Sequence, residues 1–396
     1  MDDAVAKHRQ QADLEERKRD HVSLCAERDV ECVSSSTLLD DVAFMHEALP
    51  EVDVEEVDLR ANFLGHPLGL PLMITGMTGG HSGAIQINRD LAAVAQRHRL
   101  ALGVGSQRPM LDANSPDVGY RLRDIAPDVF LAANIGAVQL RQSGAALVCD
   151  LAVRIEANAI CIHLNPAQEL VQDQGDRRFR NCASAIAELV DRSPLPIIVK
   201  ETGCGISPRA ARELAGAGVA ALDVAGAGGT SWTRVESHRG SAAQRSLGET
   251  LADWGIPTAA SIAFATGRGP VVIASGGLRN GRDLAAGLAL GADLGGMALP
   301  FLRAQQAGGQ AALDRLVGSI AEALRAVCVL TGSRDLAALR RAPVHLGAAL
   351  RDWLVLDDRS RAPLHTRSRL PEEPLGVRRA RTRPFPVESL DSSQLE

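Results

Sequence analysis

A chain of 396 residues with 45% hydrophobic and 23% charged side chains has the composition of a folded protein able to bury a large core. Its net charge of −5 and 3% aromatic content exclude a surface that gathers nucleic acid by charge or base stacking, so an anionic ligand must be held by a local cluster. The seven cysteines form no CxxC pair, the N-terminus is too charged for a signal peptide, and no apolar run approaches the roughly 18 residues of a membrane span. The expectation is a soluble, cytoplasmic protein with reduced thiols and no membrane partner.

In chain order, residues 1–69 read as a lead-in that opens with the basic stretch Glu16-Arg17-Lys18-Arg19-Asp20-His21 and continues through a mixed acidic segment. From about residue 70 to residue 330, short apolar runs alternate with helical patterns. The runs are LPLMIT (70–75), LALGVG (100–105), VFLAANI (129–135), AICIHL (159–164), PIIVKE (196–201), AALDVA (220–225), VVIAS (271–275) and LGGMAL (294–299). Eight such units predict an α/β fold, a (β/α)8 TIM barrel over 70–356 with an N-terminal extension. A doubly wound open sheet is the alternative, but GVGSQR and GCGISP both lack the third glycine of its dinucleotide fingerprint. Residues 357–396 are rich in Arg, Pro and Ser without hydrophobic periodicity and are expected to form a disordered tail.

Barrel chemistry sits where strands end. The predicted strand ends carry Thr75-Gly76-Met77-Thr78-Gly79-Gly80, Ser106-Gln107-Arg108, Asn134, His163 with Asn165, Lys200 with Glu201, Asp223, Ser275-Gly276-Gly277 and Met297-Ala298. Glycine pairs let backbone N–H groups approach a ligand, and those after the last strands lie where barrels form a phosphate site, with Thr230 adding a hydroxyl. Alternation sends His163 and Asn165 to one face. Glu169 suits a hard cation such as Mg²⁺ when the substrate brings phosphates. Lys200 either projects into the mouth as a ligand cation or pairs with Glu201 or Asp223.

These residues fall into motifs: Arg17-Lys18, MTGG (77–80), GSQR (105–108), HLNPAQE (163–169), GDRRF (175–179), VKETGCGIS (199–207), GAGGT (226–230) and SGGLRNGRD (275–283). Together, in this order, they resemble the type 2 isopentenyl diphosphate isomerases, from about residue 14 to about residue 355. The resemblance implies FMN reduced by NADPH, Mg²⁺, a small diphosphate substrate, interconversion of isopentenyl and dimethylallyl diphosphates, and a tetramer or octamer. It assigns flavin contacts to Thr75, Gly76, Met77, Thr78, Ser106, Asn134, Lys200, Thr230, Gly276, Gly277, Leu278, Ala298 and Leu299. It assigns the diphosphate to Arg17, Lys18, Ser106, Gln107 and Arg108, substrate contact to Gln168, the metal to Glu169, and further active-site roles to His21, His163, Asn165 and Glu236. The sequence departs from the family pattern at Gly76, at Asp173-Gln174, and at Leu299, where the family has glycine. The competing activity is an FMN-dependent 2-hydroxy-acid oxidoreductase; such enzymes commonly place a basic histidine after a late strand, where this chain reads DVAGAGGTSW. A non-catalytic flavin-binding protein is a further alternative.

Overall fold

The computed structural model describes residues 2–80, 82–112, 117 and 119–359, with side chains from residue 15 to residue 356 apart from Ser82. Residues 360–396, most of the expected tail, lie outside the described residues. Eight strands, β1 (Leu72–Ile74), β2 (Ala101–Gly103), β3 (Leu131–Gly136), β4 (Ala159–Leu164), β5 (Ile197–Glu201), β6 (Ala221–Asp223), β7 (Val271–Ser275) and β8 (Leu294–Met297), pair in parallel. β8 closes on β1, so the sheet has no edge and the predicted barrel is the observed one.

Side-chain alternation explains why these runs make a barrel. Met73, Ala101, Ala132, Ala159, Cys161, Ile198, Ala221, Ile273 and Leu294 share one buried cluster, the barrel interior. Their chain neighbours, such as Leu72, Leu102, Leu131, Ile160, Ile197, Leu222 and Val272, belong to the larger cluster under the surrounding helices. Both faces are apolar, which is why the strands read as continuous apolar runs. An antiparallel hairpin, Ala61–Phe63 with His66–Leu68, contributes Phe63 and Leu68 to the interior cluster and stops the N-terminal end of the barrel. Phe63 meets Phe130 edge to face with ring centroids 4.8 Å apart. Residues Val42–Phe44 pair antiparallel with Val344–Leu346, tying the lead-in to the far end of the barrel domain.

The lead-in begins as helix α1 (Asp2–Glu27). Its residues are good helix formers without Gly or Pro, but its sequence is mostly polar, so propensity alone would leave it marginal. Cys25 buries itself, and Val22 and Leu24 pack against the core. After α1, residues 30–37 form a strap on the loops of the barrel mouth: Ser231 N–H donates to Val30 O at 2.8 Å, Cys32 N–H to Gly229 O at 2.9 Å and Ala259 N–H to Thr37 O at 2.9 Å. Four further helices follow: α2 (Ser82–His98), α3 (Pro166–Val171), α4 (Trp232–Ser237), which lies beside α1, and α5 (Leu299–Leu330) after β8. No helix among the described residues is long and apolar enough to cross a membrane.

Candidate active site

The strand register brings Gly136, His163, Lys200 and Asp223 into one row at the C-terminal rim of the barrel. The cavity above that row is lined by Thr75, Gly76, Met77, Thr78, Ser106, Arg108, Asn134, His163, Asn165, Gln168, Glu169, Lys200, Thr230, Gly276, Gly277, Leu278, Ala298 and Leu299, and α1 lowers Arg17, Lys18 and His21 into it. Two residues expected in the site stand outside that wall. Gln107 is 1% exposed; its side-chain oxygen accepts from Asn134 N–H at 3.1 Å and its nitrogen donates to Leu151 O at 3.1 Å. Its amide is consumed in holding the β3 strand end, so a substrate contact through this side chain is not what the geometry offers. Glu236, 2% exposed, lies behind Gln168 and acts on the cavity through other side chains.

On the floor, Lys200 Nζ lies 3.1 Å from Asp223 Oδ2, and the Ser275 hydroxyl donates to the other oxygen of Asp223. The pairing with Asp223 is therefore formed, while Lys200 still faces the cavity. Glu201 points the other way and accepts backbone N–H bonds from Thr202 and Gly203, both at 2.7 Å, and from Cys204. Burial nonetheless pushes its carboxyl up to about 7. His163 Nδ1 is 2.8 Å from Asn134 Oδ1; since that oxygen only accepts, the ring proton sits on Nδ1 and leaves Nε2 as an acceptor. Burial, with Lys200, Lys18 and Arg108 nearby, lowers His163 to about 4, so its ring is neutral at physiological pH. Gly76 is needed where it stands, because a Cβ there would lie 2.3 Å from Val104 O and 2.9 Å from the Asn134 amide.

At one side of the mouth the glycines of two loops, after β6 and after β7, interlock. A Cβ on Gly229 would lie 2.3 Å from Gly277 N, and one on Gly276, at φ +94°, would lie 2.2 Å from Gly226 O. No side chain caps the start of α5 at Ala298. Leu299, where the family pattern has glycine, is 5% exposed and belongs to the apolar core, while the chain at this position also lines the cavity. A cradle of glycine backbone beside an uncapped helix start fits the phosphate of FMN, which such sites bind through N–H groups and the helix dipole.

At the other side stand the cations. Lys18 Nζ donates to Ser106 O at 3.0 Å and to the Tyr120 hydroxyl at 3.3 Å. Burial, then Arg17 and Arg108, push Lys18 down to about 7, and burial and Arg108 lower Arg17. The Gln172 amide is oriented by its neighbours, its oxygen 3.0 Å from Arg17 Nη1 and its nitrogen 3.2 Å from Glu236 Oε1. That same Glu236 oxygen accepts from Gln168 Nε2 at 2.9 Å and lies 2.9 Å from His21 Nε2. Burial raises the Glu236 carboxyl, but His21, Gln168 and Arg239 outweigh it and hold the group below the usual carboxylate range. Glu169, on α3, is 6% exposed; its oxygens accept from Asn165 Nδ2 at 3.0 Å and Asp176 N–H at 2.7 Å. Among the described residues no three His, Cys, Asp or Glu side chains gather as a metal cage. Glu169 therefore fits a divalent cation whose remaining ligands come from water or from the substrate.

Sequence reasoning missed Tyr120, Gln172 and Gln139. Gln139 and Gln172 line the cavity, Tyr120 meets it through Lys18, and none stood at a predicted strand end.

A family model described as FMN-dependent dehydrogenase matches residues 109–346, more than half of the chain, and with the barrel and phosphate cradle it defines the class of the protein. The isopentenyl-diphosphate delta-isomerase of Methanoregula boonei is 46% identical over 345 residues, covering 85% of this chain and 95% of the relative. The one of a Synechococcus strain is 47% identical over 335 residues, 84% and 96% of the two chains, and that of Thermococcus onnurineus 40% over 368 residues, 89% and 96%. The chain belongs to the isopentenyl-diphosphate delta-isomerase family. Solved structures share the fold at lower identity. They include a lactate oxidase of Pediococcus acidilactici, with TM-score 0.61 and 16% identity over 84% of this chain and 93% of that one. A mandelate oxidase with (S)-mandelic acid gives 0.57 and 18% over 85% and 98%.

Proposed function

We propose that the protein interconverts isopentenyl and dimethylallyl diphosphates with reduced FMN, NADPH as reductant and Mg²⁺ bridging the diphosphate, and that it works as a cytoplasmic homo-oligomer. The observation that carries this reading is a cavity with two separate anion-binding ends: the glycine cradle beside α5, and the Arg17, Lys18 and Arg108 cluster under α1. A flavin phosphate at one and a substrate diphosphate at the other would place an alkene over the floor between them.

Moving the double bond requires adding a proton to one carbon and removing one from another, with no net oxidation. Bound reduced FMN supplies the acid–base chemistry for that exchange. The chain's own residues do the rest. Arg17, Lys18 and Arg108 bind the diphosphate, so remote binding energy holds the alkene in place. Glu169 would hold a divalent cation when one is bound, and such a cation would turn the carboxylate's repulsion of the diphosphate into attraction. Gln168, fixed by Glu236 and by Asn165 at 3.1 Å, presents an oriented amide, and neutral His163 holds its Nδ1 proton on Asn134. Lys200 is the cation positioned for the flavin ring.

A 2-hydroxy-acid oxidoreductase is disfavoured because the loop after β6, Val224-Ala225-Gly226-Ala227-Gly228-Gly229, carries no basic histidine. Anaerobic incubation with FMN, NADPH, Mg²⁺ and isopentenyl diphosphate should yield the dimethylallyl isomer. Full activity of flavin-free protein, or reduction of the flavin by lactate without isomerase activity, would overturn the proposal. Glu169→Gln should raise the Mg²⁺ requirement strongly, whereas Gln168→Asn should lower turnover at saturating metal.

A further inference from the structure

Tyr120 is the single tyrosine of the chain and is 1% exposed. Its hydroxyl donates to Ser106 O at 2.8 Å and accepts from Lys18 Nζ at 3.3 Å, while Lys18 also donates to Ser106 O at 3.0 Å. Lysine, phenol and carbonyl thus form a closed triangle at the base of the cation cluster. The surrounding notch is shaped for it. A Cβ on Gly79 would lie 2.4 Å from the Tyr120 ring, and one on Gly80 would lie 2.8 Å from Lys18 Nζ and 3.0 Å from the phenol oxygen. The glycine pair of MTGG, which as sequence suggests room for a cofactor, here makes room for Tyr120 and Lys18.

We propose that Tyr120 is a positioning residue for Lys18: its hydroxyl, with the Ser106 carbonyl, docks the ammonium of α1 onto the barrel and aims it at the substrate diphosphate. The proposal rests on the diphosphate reading of the Arg17, Lys18 and Arg108 cluster. The physical need is plain. Glu15 and Arg17 on α1, Arg108 from the loop after β2, and His163 from β4 are the titratable groups facing Lys18. Like charges from Arg17 and Arg108 oppose its protonation before substrate arrives, and only Glu15 favours it. Two neutral acceptors stabilise the ammonium without a carboxylate that would compete with the diphosphate.

The test compares the FMN-loaded parent, Tyr120→Phe, Lys18→Ala and the double variant by KM and kcat for isopentenyl diphosphate from neutral to alkaline pH. Phe keeps the ring packed against Gly79 and Gly80, and FMN affinity and melting temperature check that the fold is intact. Tyr120→Phe should raise KM roughly tenfold with kcat little changed. It should also move the alkaline limb of kcat/KM to lower pH, because losing an acceptor disfavours the ammonium. In the Lys18→Ala background the same change should add nothing. An unchanged KM and pH limb in Tyr120→Phe, or an equal penalty with and without Lys18, would overturn the positioning role. A Lys18→Ala enzyme with parental KM would instead remove the diphosphate reading of the cluster, and this proposal with it.

Discussion

Replacing Lys200 by methionine separates what this lysine does for the fold from what it does for a flavin. The ammonium lies 3.1 Å from Asp223 Oδ2, and the Asp223 side chain is 2% exposed against 12% for Lys200. Once it is gone, the described partner of the carboxylate is the Ser275 hydroxyl. Breaking a buried pair by removing one partner costs about 3–5 kcal/mol, because a charge stays buried without compensation. Lys200 keeps some contact with the cavity, so the lower end, about 3 kcal/mol, is the figure to use. An unfolding entropy of about 2.1 cal/mol/K per residue over roughly 350 residues turns this into a fall in Tm of about 4 °C. The assay is calorimetry on flavin-free protein, so that cofactor binding adds nothing to the melting temperature. Lys200→Met should melt lower than the parent, and Lys200→Met with Asp223→Leu should recover most of the loss because no isolated charge remains. A flavin-free Lys200→Met that melts with the parent, or a double variant whose loss is the sum of the singles, would refute this account of the pair.

Gly276→Ala should abolish tight FMN binding and lower stability by a few kcal/mol, since its φ of +94° and a Cβ 2.2 Å from Gly226 O leave no room for a side chain; flavin titration and melting together check this. The His163 ring should titrate by NMR near 4 in the folded protein, below its ordinary 6.5. Its folded pKa is depressed, so the unfolded chain binds the proton first; stability falls as pH drops from 6.5 to about 4, and His163→Gln should lose that part of the slope. Glu201 behaves in the opposite sense. Its folded pKa is raised from 4.5 to about 7, so the folded state holds the proton longer, and stability falls as pH rises through that window. Glu201→Gln should flatten this component of the urea-unfolding profile.

The barrel strands were legible because each is buried on both faces and reads as an unbroken apolar run. AICIHL and VVIAS match β4 and β7 residue for residue, VFLAANI stops one residue short of the end of β3, and the other runs contain their strands with frayed ends. The hairpin at Ala61–Phe63 and the pair Val42–Phe44 with Val344–Leu346 were not, since nine of their twelve residues are exposed or partly exposed and no apolar run marks them. The cavity wall was legible for a related reason: a barrel puts its strand ends in one place, so any polar residue there is a candidate. What position along a strand cannot convey is where a side chain turns after the strand ends. Ser106 and Arg108 face the cavity while Gln107 between them enters the wall, and Glu236 acts through Gln168 and His21. Tyr120 stayed hidden because its contact with Lys18 joins residues 102 positions apart.

The strap and the outer strand pair also bear on the order in which a ribosome-bound chain could mature. Residues 30–37 bond to the loop at 229–231 and to Ala259, and Asp41 caps its contacts with Leu350 N, 309 positions later. None of these partners exists when the strap emerges. The lead-in, although made before the barrel, must therefore stay unpaired through the synthesis of most of it, and α1 can settle over the mouth only after β6 and its loop have formed. Arg303 of α5 also donates to Cys25 O at 3.2 Å and to Arg28 O at 2.9 Å at the end of α1, so this anchor for Arg17, Lys18 and His21 exists only once all eight strands have been made, and the nascent site stays open until then.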